Sequence, residues 1–280
     1  MKNNIGKRIF LNHLFKVLII SLSLFTIIPL FLILYHIVKN GISVIDFEFF
    51  IRLPKPPGEE GGGILHSLVG TLILVIIAFI IATPLGIFTG VFLAEVKDRF
   101  SNNLRFLINI IQGIPSIVIG ILVYIWIVIP MGGFSAFAGG VALAIMMLPV
   151  VIKSTEETIK MIPDTLKEAS YSLGVNYTRT ILKVVIPSGF GGIASGLIVA
   201  ISRVAGETAP LLFTAFGSSF LNVNPFKPID ALPLLVFNYA MSLYESWHRI
   251  AWGASFVLLV FVLILNVLVK IAGAKWRTRF

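Results

Sequence analysis

The sequence has 280 residues, of which 57% are hydrophobic and 12% charged, against roughly 25% charge in an ordinary soluble domain, so a water-soluble fold is excluded. The net charge of +9 does not point to nucleic acid, because the basic residues sit at the ends of apolar runs, where membrane topology puts them. With no cysteine, disulfides, thiol catalysis and thiolate-bound metals are excluded, and His13, His36, His66 and His248 are too scattered to form a metal motif.

Apolar runs longer than the roughly 20 residues that cross a bilayer must satisfy their backbone within helices, so the class is all-α and polytopic. Lys2, Lys7 and Arg8 precede the first run, 17 to 38. That run exceeds a signal-peptide core and no A-x-A site follows it, so it is expected to be an uncleaved span. The loop from 39 to 63 holds Pro54, Pro56 and Pro57 and then Glu59-Glu60-Gly61-Gly62-Gly63. It has neither the lysine nor the strand-to-helix setting of a phosphate-binding P-loop, and reads as a connection. The second span, 64 to 93, is longer than a straight crossing requires. It contains Pro84, Gly86 and Gly90, which predict a kink. Spans at 105 to 130 and 136 to 152 follow.

The segment from Lys153 to Pro187 is too polar to cross. Pro163 and Asp164 suit a helix start, and Leu166, Ala169, Ser170 and Leu173 recur on one face. Gly174 then suits a helix end, and Asn176 can cap a second helix through Val185. The fifth span, 188 to 216, is rich in glycine, which permits close helix approach, and Pro210 is expected to bend it. The sixth runs from 249 to 271.

Sixteen basic residues fall on the side of the N-terminus and of the 153 to 187 segment, including Lys97, Arg99, Arg105, Lys153, Lys160 and Lys167. Five fall on the opposite side, namely Lys39, Arg52, Lys55, Lys227 and Arg249. This asymmetry predicts that both termini are cytoplasmic.

Arg203 remains within a span, where its charge costs about 2.5 to 3.5 kcal/mol on insertion scales, so it is expected to face the bundle interior. Glu207 stands four residues on, on the same face of a continuous helix. The two read either as a structural ion pair or as an oxyanion site. In the second case Arg203 donates in a fork and Glu207 accepts the proton of monohydrogen phosphate, which sulfate lacks. Asn109 with Gln112, and His66, Ser67 and Thr71, are weaker pathway candidates, with interhelical hydrogen bonding as their commoner role.

Glu168-Ala169-Ser170, Gly174 and Val184-Val185-Ile186-Pro187 resemble the EAA loop of ABC importer permeases, with Ser170, Val184 and Ile186 as mild departures. The segment Ser202-Arg203-Val204-Ala205-Gly206-Glu207-Thr208-Ala209-Pro210-Leu211-Leu212 resembles the fifth-span signature of PstA-type phosphate permeases. Gly113-Ile114-Pro115-Ser116 is similar to another stretch of that family, and the likeness covers about 66 to 266. The resemblance implies a type I permease fold: one transmembrane domain over 1–280, its core about 66–270, with a cytoplasmic coupling loop at 153–187. It further implies a transport subunit without its own ATPase site or cofactor, ATP being bound by a partner. Substrate-pathway residues would be Arg203, Glu207 and Thr208; ATPase-coupling residues would be Glu168, Ala169, Gly174 and Pro187. Implied partners are a PstC-type permease, a PstB-type ATPase dimer, an extracytoplasmic PstS-type phosphate-binding protein and inorganic phosphate. A permease for another oxyanion and an ion-coupled secondary transporter are the rival readings.

Overall fold

A computed structural model describes residues 5–59 and 61–275; Lys2, Glu60, Arg277 and Arg279 lie outside the described residues. Among those described, regular structure is helical apart from an isolated parallel bridge between Phe216 and Ile229. In chain order the helices are α1 (Ile5–Gly41), α2 (Phe47–Ile51), α3 (Leu65–Glu95), α4 (Arg99–Gly113), α5 (Ser116–Val123), α6 (Ile129–Met131) and α7 (Ala136–Lys160). Then follow α8 (Asp164–Ser172), α9 (Tyr177–Thr180), α10 (Ile186–Ser188), α11 (Phe190–Val204), α12 (Ala209–Leu212), α13 (Leu232–Ala240) and α14 (Glu245–Lys275).

Four helices, α1, α3, α7 and α14, are long and apolar enough to cross a bilayer alone. Two bent pairs bring the number to the expected six when each is counted as one crossing. The first corrects the span expected at 105 to 130. α4 ends at Gly113 and meets the run Ser116–Met131 at 101°, because Pro115 offers no N–H and forces Ile114 into extended backbone. The second corrects the span expected at 188 to 216. Tyr177–Ser188 meets α11 at 67°, and α11 stops at Val204.

Two prolines inside these pairs share one local solution. Pro130 and Pro187 each follow a five-residue π-helical turn, Tyr124–Val128 and Ile181–Val185. A proline ring collides with the carbonyl four residues back, and the widened turn moves that carbonyl aside. α3, by contrast, runs unbroken through Pro84.

The core is a layer of three helices, with α3 and α11 on α7. Leu74, Ala78 and Ala82 of α3, Leu143, Met147 and Val151 of α7, and Ala200 and Val204 of α11 are buried together. Lipid tails are as apolar as leucine, so these helices gain by close packing more than by hiding from water. Glycine permits the approach. A Cβ at Gly86 would lie 2.6 Å from Val151 Cγ1, and one at Gly90 2.6 Å from Thr155 Cβ. Gly192 lies equally close to Thr158 across the α7–α11 contact. Gly86 and Gly90, which the sequence reads together with Pro84 as a kink, lie in the contact of α3 with α7. α1 stands apart: it is exposed from Gly6 to Ile33 and meets α14 near Gly41, which packs on Trp252 and Phe256.

Gly90→Val should cost about 1–3 kcal/mol through overpacking and lower the thermal midpoint of the detergent-solubilised protein. Gly6→Val, with nothing within 4 Å of the new Cβ, should leave it unchanged. Equal midpoints for the two variants would refute the packing account.

Candidate functional site

The segment around Arg203 is a helix end followed by a turn, where the sequence reading has a continuous helix. Gly206 donates its N–H to Arg203 O at 3.3 Å and Glu207 to Val204 O at 3.2 Å. Thr208 then opens α12, with Pro210 in its first turn. The backbone of Pro210 is pressed against Gly120 of α5, where a Cβ would lie 2.7 Å from its Cα.

This geometry corrects the expected pairing of Arg203 with Glu207. Four-residue spacing brings side chains together only on an unbroken helix, and α11 ends one residue after Arg203. No ion pair or side-chain hydrogen bond of either residue occurs among the described residues. Arg203 is exposed on this chain, while Glu207 and Thr208 are half-buried. The guanidinium complements the carboxyl end of α11 and keeps its side-chain donors uncommitted.

Two polar clusters flank the core. At the carboxyl ends of α3 and α7, Arg105 of α4 pairs with Glu156 (Nε to Oε1, 2.8 Å) and donates to the carbonyl of Leu93 at 2.5 Å. Lys160 meets the same carboxylate oxygen at 2.5 Å. A cavity of about 280 Å³ opens beside them, lined also by Asn109, Lys153 and Glu157. Lys153 donates to Gln112, so the amides noted in the sequence face charged groups of α7.

At the amino ends of the same helices, His66, Ser67 and Thr71 of α3 surround Asp230. Ser67 donates to Asp230 Oδ2, and His66 Nε2 lies 3.2 Å from the same oxygen. Thr71 accepts from the N–H of Leu232 at 2.8 Å. All four residues are buried. Tyr239 lines the adjoining cavity of about 270 Å³, and its phenol is pushed up to about 12 by burial and then by the Asp230 carboxylate. Sequence reasoning found the three α3 residues and missed Asp230. Its signal was a lone acid inside the apolar run Pro228-Ile229-Asp230-Ala231-Leu232.

Between α7 and α11 the structure forms the expected pair of short helices joined at a glycine. Gly174 turns at φ +77°, which glycine adopts without strain, and Asn176 Oδ1 accepts from the N–H of Arg179 at 2.9 Å to cap α9. The α8 face divides. Leu166 packs toward Val91, Ala94, Ile159 and Ile162 and Ser170 is buried, but Ala169 is exposed and Leu173 is 83% exposed. Glu168 is exposed beside them. Pro187 follows the second π turn.

Lys167 reaches Glu95, the last residue of α3, at 2.6 Å, and Asp164 at 3.4 Å. Burial opposes the ammonium charge, but the hydrogen bond and charge of Glu95, with Asp164 adding to them, hold its pKa above the usual lysine value. A raised lysine pKa stabilises the fold below the unfolded value, and the gain is lost only as pH rises through the folded one. The contact is therefore intact at neutral pH.

Residues 82–278 match the model of the family described as binding-protein-dependent transport system inner membrane component. The chain is 38% identical over 266 residues to the phosphate transport system permease protein PstA of Yersinia pestis, covering 94% of this chain and 90% of the relative. It is 36% identical over 267 residues to the probable phosphate transport system permease protein PstA of Methanocaldococcus jannaschii, covering 95% and 94%. Among solved structures, a bacterial alginate ABC transporter aligns with TM-score 0.62 at 13% identity over 98% of each chain. The inward-facing MetNI methionine ABC transporter aligns with TM-score 0.57 at 20% identity, over 76% of this chain and 92% of its own. These two likenesses establish the fold.

The chain contains no cysteine, so single cysteines report exposure directly. With the chain in membranes, Arg203→Cys should react with a charged, water-soluble thiol reagent, whereas Ala200→Cys, fully buried one turn earlier, should not. An unreactive Arg203→Cys would remove the residue from any aqueous path.

Proposed function

The chain belongs to the family of binding-protein-dependent transport system inner membrane components, and we propose that it acts as the permease subunit of an ATP-driven importer of inorganic phosphate. The observation that carries this reading is 38% identity to a phosphate permease along 94% of the chain. The fold is that of ABC importer permeases. The subunit moves its substrate by alternating access, and ATP is bound by a separate ATPase dimer. A second, homologous permease completes the pathway, and an extracytoplasmic binding protein delivers phosphate.

The sixteen-to-five division of basic residues supports placing both termini and the loop around Gly174 in the cytoplasm. In that orientation the amino ends of α3 and α7 are outer and their carboxyl ends inner. α8 is then the coupling helix: Glu168, Ala169 and the exposed Leu173 enter a groove on the ATPase, Gly174 sets the turn, and Pro187 begins the return toward the membrane.

In the pathway, Arg203 offers forked donors to an oxyanion, an arrangement a lysine cannot reproduce. Its lack of an ion pair or side-chain hydrogen bond among the described residues supports this role over that of an internal ion pair. Glu207 accepts the proton of monohydrogen phosphate and repels sulfate, which has none, and Thr208 adds a hydroxyl.

Three outcomes test these assignments. Cysteines placed after residues 160 and 275 should be labelled only from the cytoplasmic side, and labelling from outside would invert the topology. Gly174→Val meets no neighbour but imposes about 1–2 kcal/mol of left-handed strain, so it should insert normally and co-purify with less ATPase. Full assembly with full uptake would end the coupling assignment. Arg203→Lys should assemble with the ATPase yet lose most phosphate uptake, while Glu207→Gln relaxes discrimination against sulfate. Wild-type uptake by the lysine variant would refute forked recognition.

A further inference from the structure

Two polar contacts outside the proposed pathway, Lys167–Glu95 and the Asp230 cluster, sit at opposite ends of one helix. α3 spans 31 residues without a break, about 46 Å at 1.5 Å per residue. At its inner end Glu95 holds Lys167 of α8, with side chains only 11% and 16% exposed, and Leu166 of α8 packs on the last turns of α3. At its outer end Ser67 and His66 hold Asp230, and Thr71 holds the N–H of Leu232. Gly70 lies so close to the backbone of Asp230 that a side chain there is sterically barred.

Asp230 closes the segment 213–231, which follows the Arg203–Leu212 stretch directly. Phe216 and Ile229 bridge across its base. The carbonyls of Thr214, Pro225 and Lys227 accept from the N–H groups of Phe137, Ser135 and Ala136 at the start of α7, with Ser135 paired to Thr214, Ala136 to Lys227 and Phe137 to Pro225. A helix fastened to the coupling helix at one end and to this segment at the other transmits displacement unless it bends between them. α3 is backed along its middle by α7 through Gly86 and Gly90, and α7, unbroken over Ala136–Lys160 and bonded to the same segment, runs beside it, whereas the two broken crossings bend by 101° and 67°.

We propose that α3 is the strut that carries motion of the coupling helix to the outer segment 213–231, with Lys167 and Glu95 as positioning residues at its inner joint and Asp230 at its outer joint. The inference rests on the coupling role assigned to α8 above. It adds residues that the EAA and fifth-span motifs do not contain. The inner joint works by opposite charge across two elements. The outer joint works by a carboxylate that the Ser67 hydroxyl and the His66 ring of α3 hold in place, so an amide of the same shape weakens it without leaving a void.

The test uses the full importer in proteoliposomes with its binding protein and inorganic phosphate, and reads phosphate taken up per ATP hydrolysed alongside ATPase co-purification. Lys167→Glu and Glu95→Lys each place like charges at the joint. Each should retain the ATPase yet lower the uptake-to-hydrolysis ratio several-fold, and the double reversal should restore it. Asp230→Asn should lower the same ratio with the inner joint intact. A single reversal that does not accumulate is judged by the double reversal, whose failure to recover coupling would overturn the proposal. So would an unchanged ratio in either single reversal or in Asp230→Asn, or loss of ATPase binding as their sole defect. Failure of the coupling assignment itself is separate, because it appears as normal assembly and uptake in Gly174→Val.

Discussion

Helices in hydrocarbon gain little from covering apolar surface, because lipid covers it equally well; they associate where backbones approach closely enough to gain dispersion contacts. In this chain that constraint is met at the faces of α7. Gly86 and Gly90 of α3 rest on Val151 and Thr155, while Gly192 of α11 rests on Thr158. Everything else in the molecule is referred to this layer. It places the carboxyl end of α11, and with it Arg203, against a helix that is itself rigidly paired. It also leaves α3 and α7 running side by side as one body.

Polar side chains then act at the ends of the layer, where each hydrogen bond replaces a partner in water or interface. Glu156 draws Arg105 and Lys160 together and ties α4 to the ends of α3 and α7. Lys167 ties α8 to the same end. Asp230 ties the 213–231 segment to the opposite end. Breaking one member of such a buried set leaves its partners desolvated and unmatched, a larger loss than the interaction itself contributes. These contacts therefore fix the relative positions of elements that apolar packing alone would let slide.

Prolines and glycines decide where the bundle bends and where it does not. Pro84 lies in a helix packed along α7, and α3 remains continuous. Pro115 lies at an unsupported point and turns the chain by 101°. Gly206 ends α11 and converts the arginine-bearing segment from helix interior to helix terminus. That conversion separates Arg203 from Glu207 and leaves the guanidinium without an ion-pair partner among the described residues.

The sequence by itself determined what composition and local chemistry control. Apolar length fixed the all-helical membrane class, and Gly174 with Asn176 fixed the turn and cap within the 153–187 segment, because a positive φ and a side-chain cap are decided within a few residues. The spacing of Glu168, Gly174 and Pro187 pointed to the family that the comparisons then established. What only the tertiary structure decided were the relations between distant segments. At Pro84, where the sequence predicts a kink, α3 continues as one unbroken helix packed on α7. The Arg203–Glu207 spacing reads as one helix face and is not, because α11 ends at Val204 and the chain turns through Gly206 before α12. Asp230 carried no periodic signal at all. Its partners Ser67 and His66 lie more than 150 residues away in the chain, and a contact of that separation has no local pattern from which it can be read.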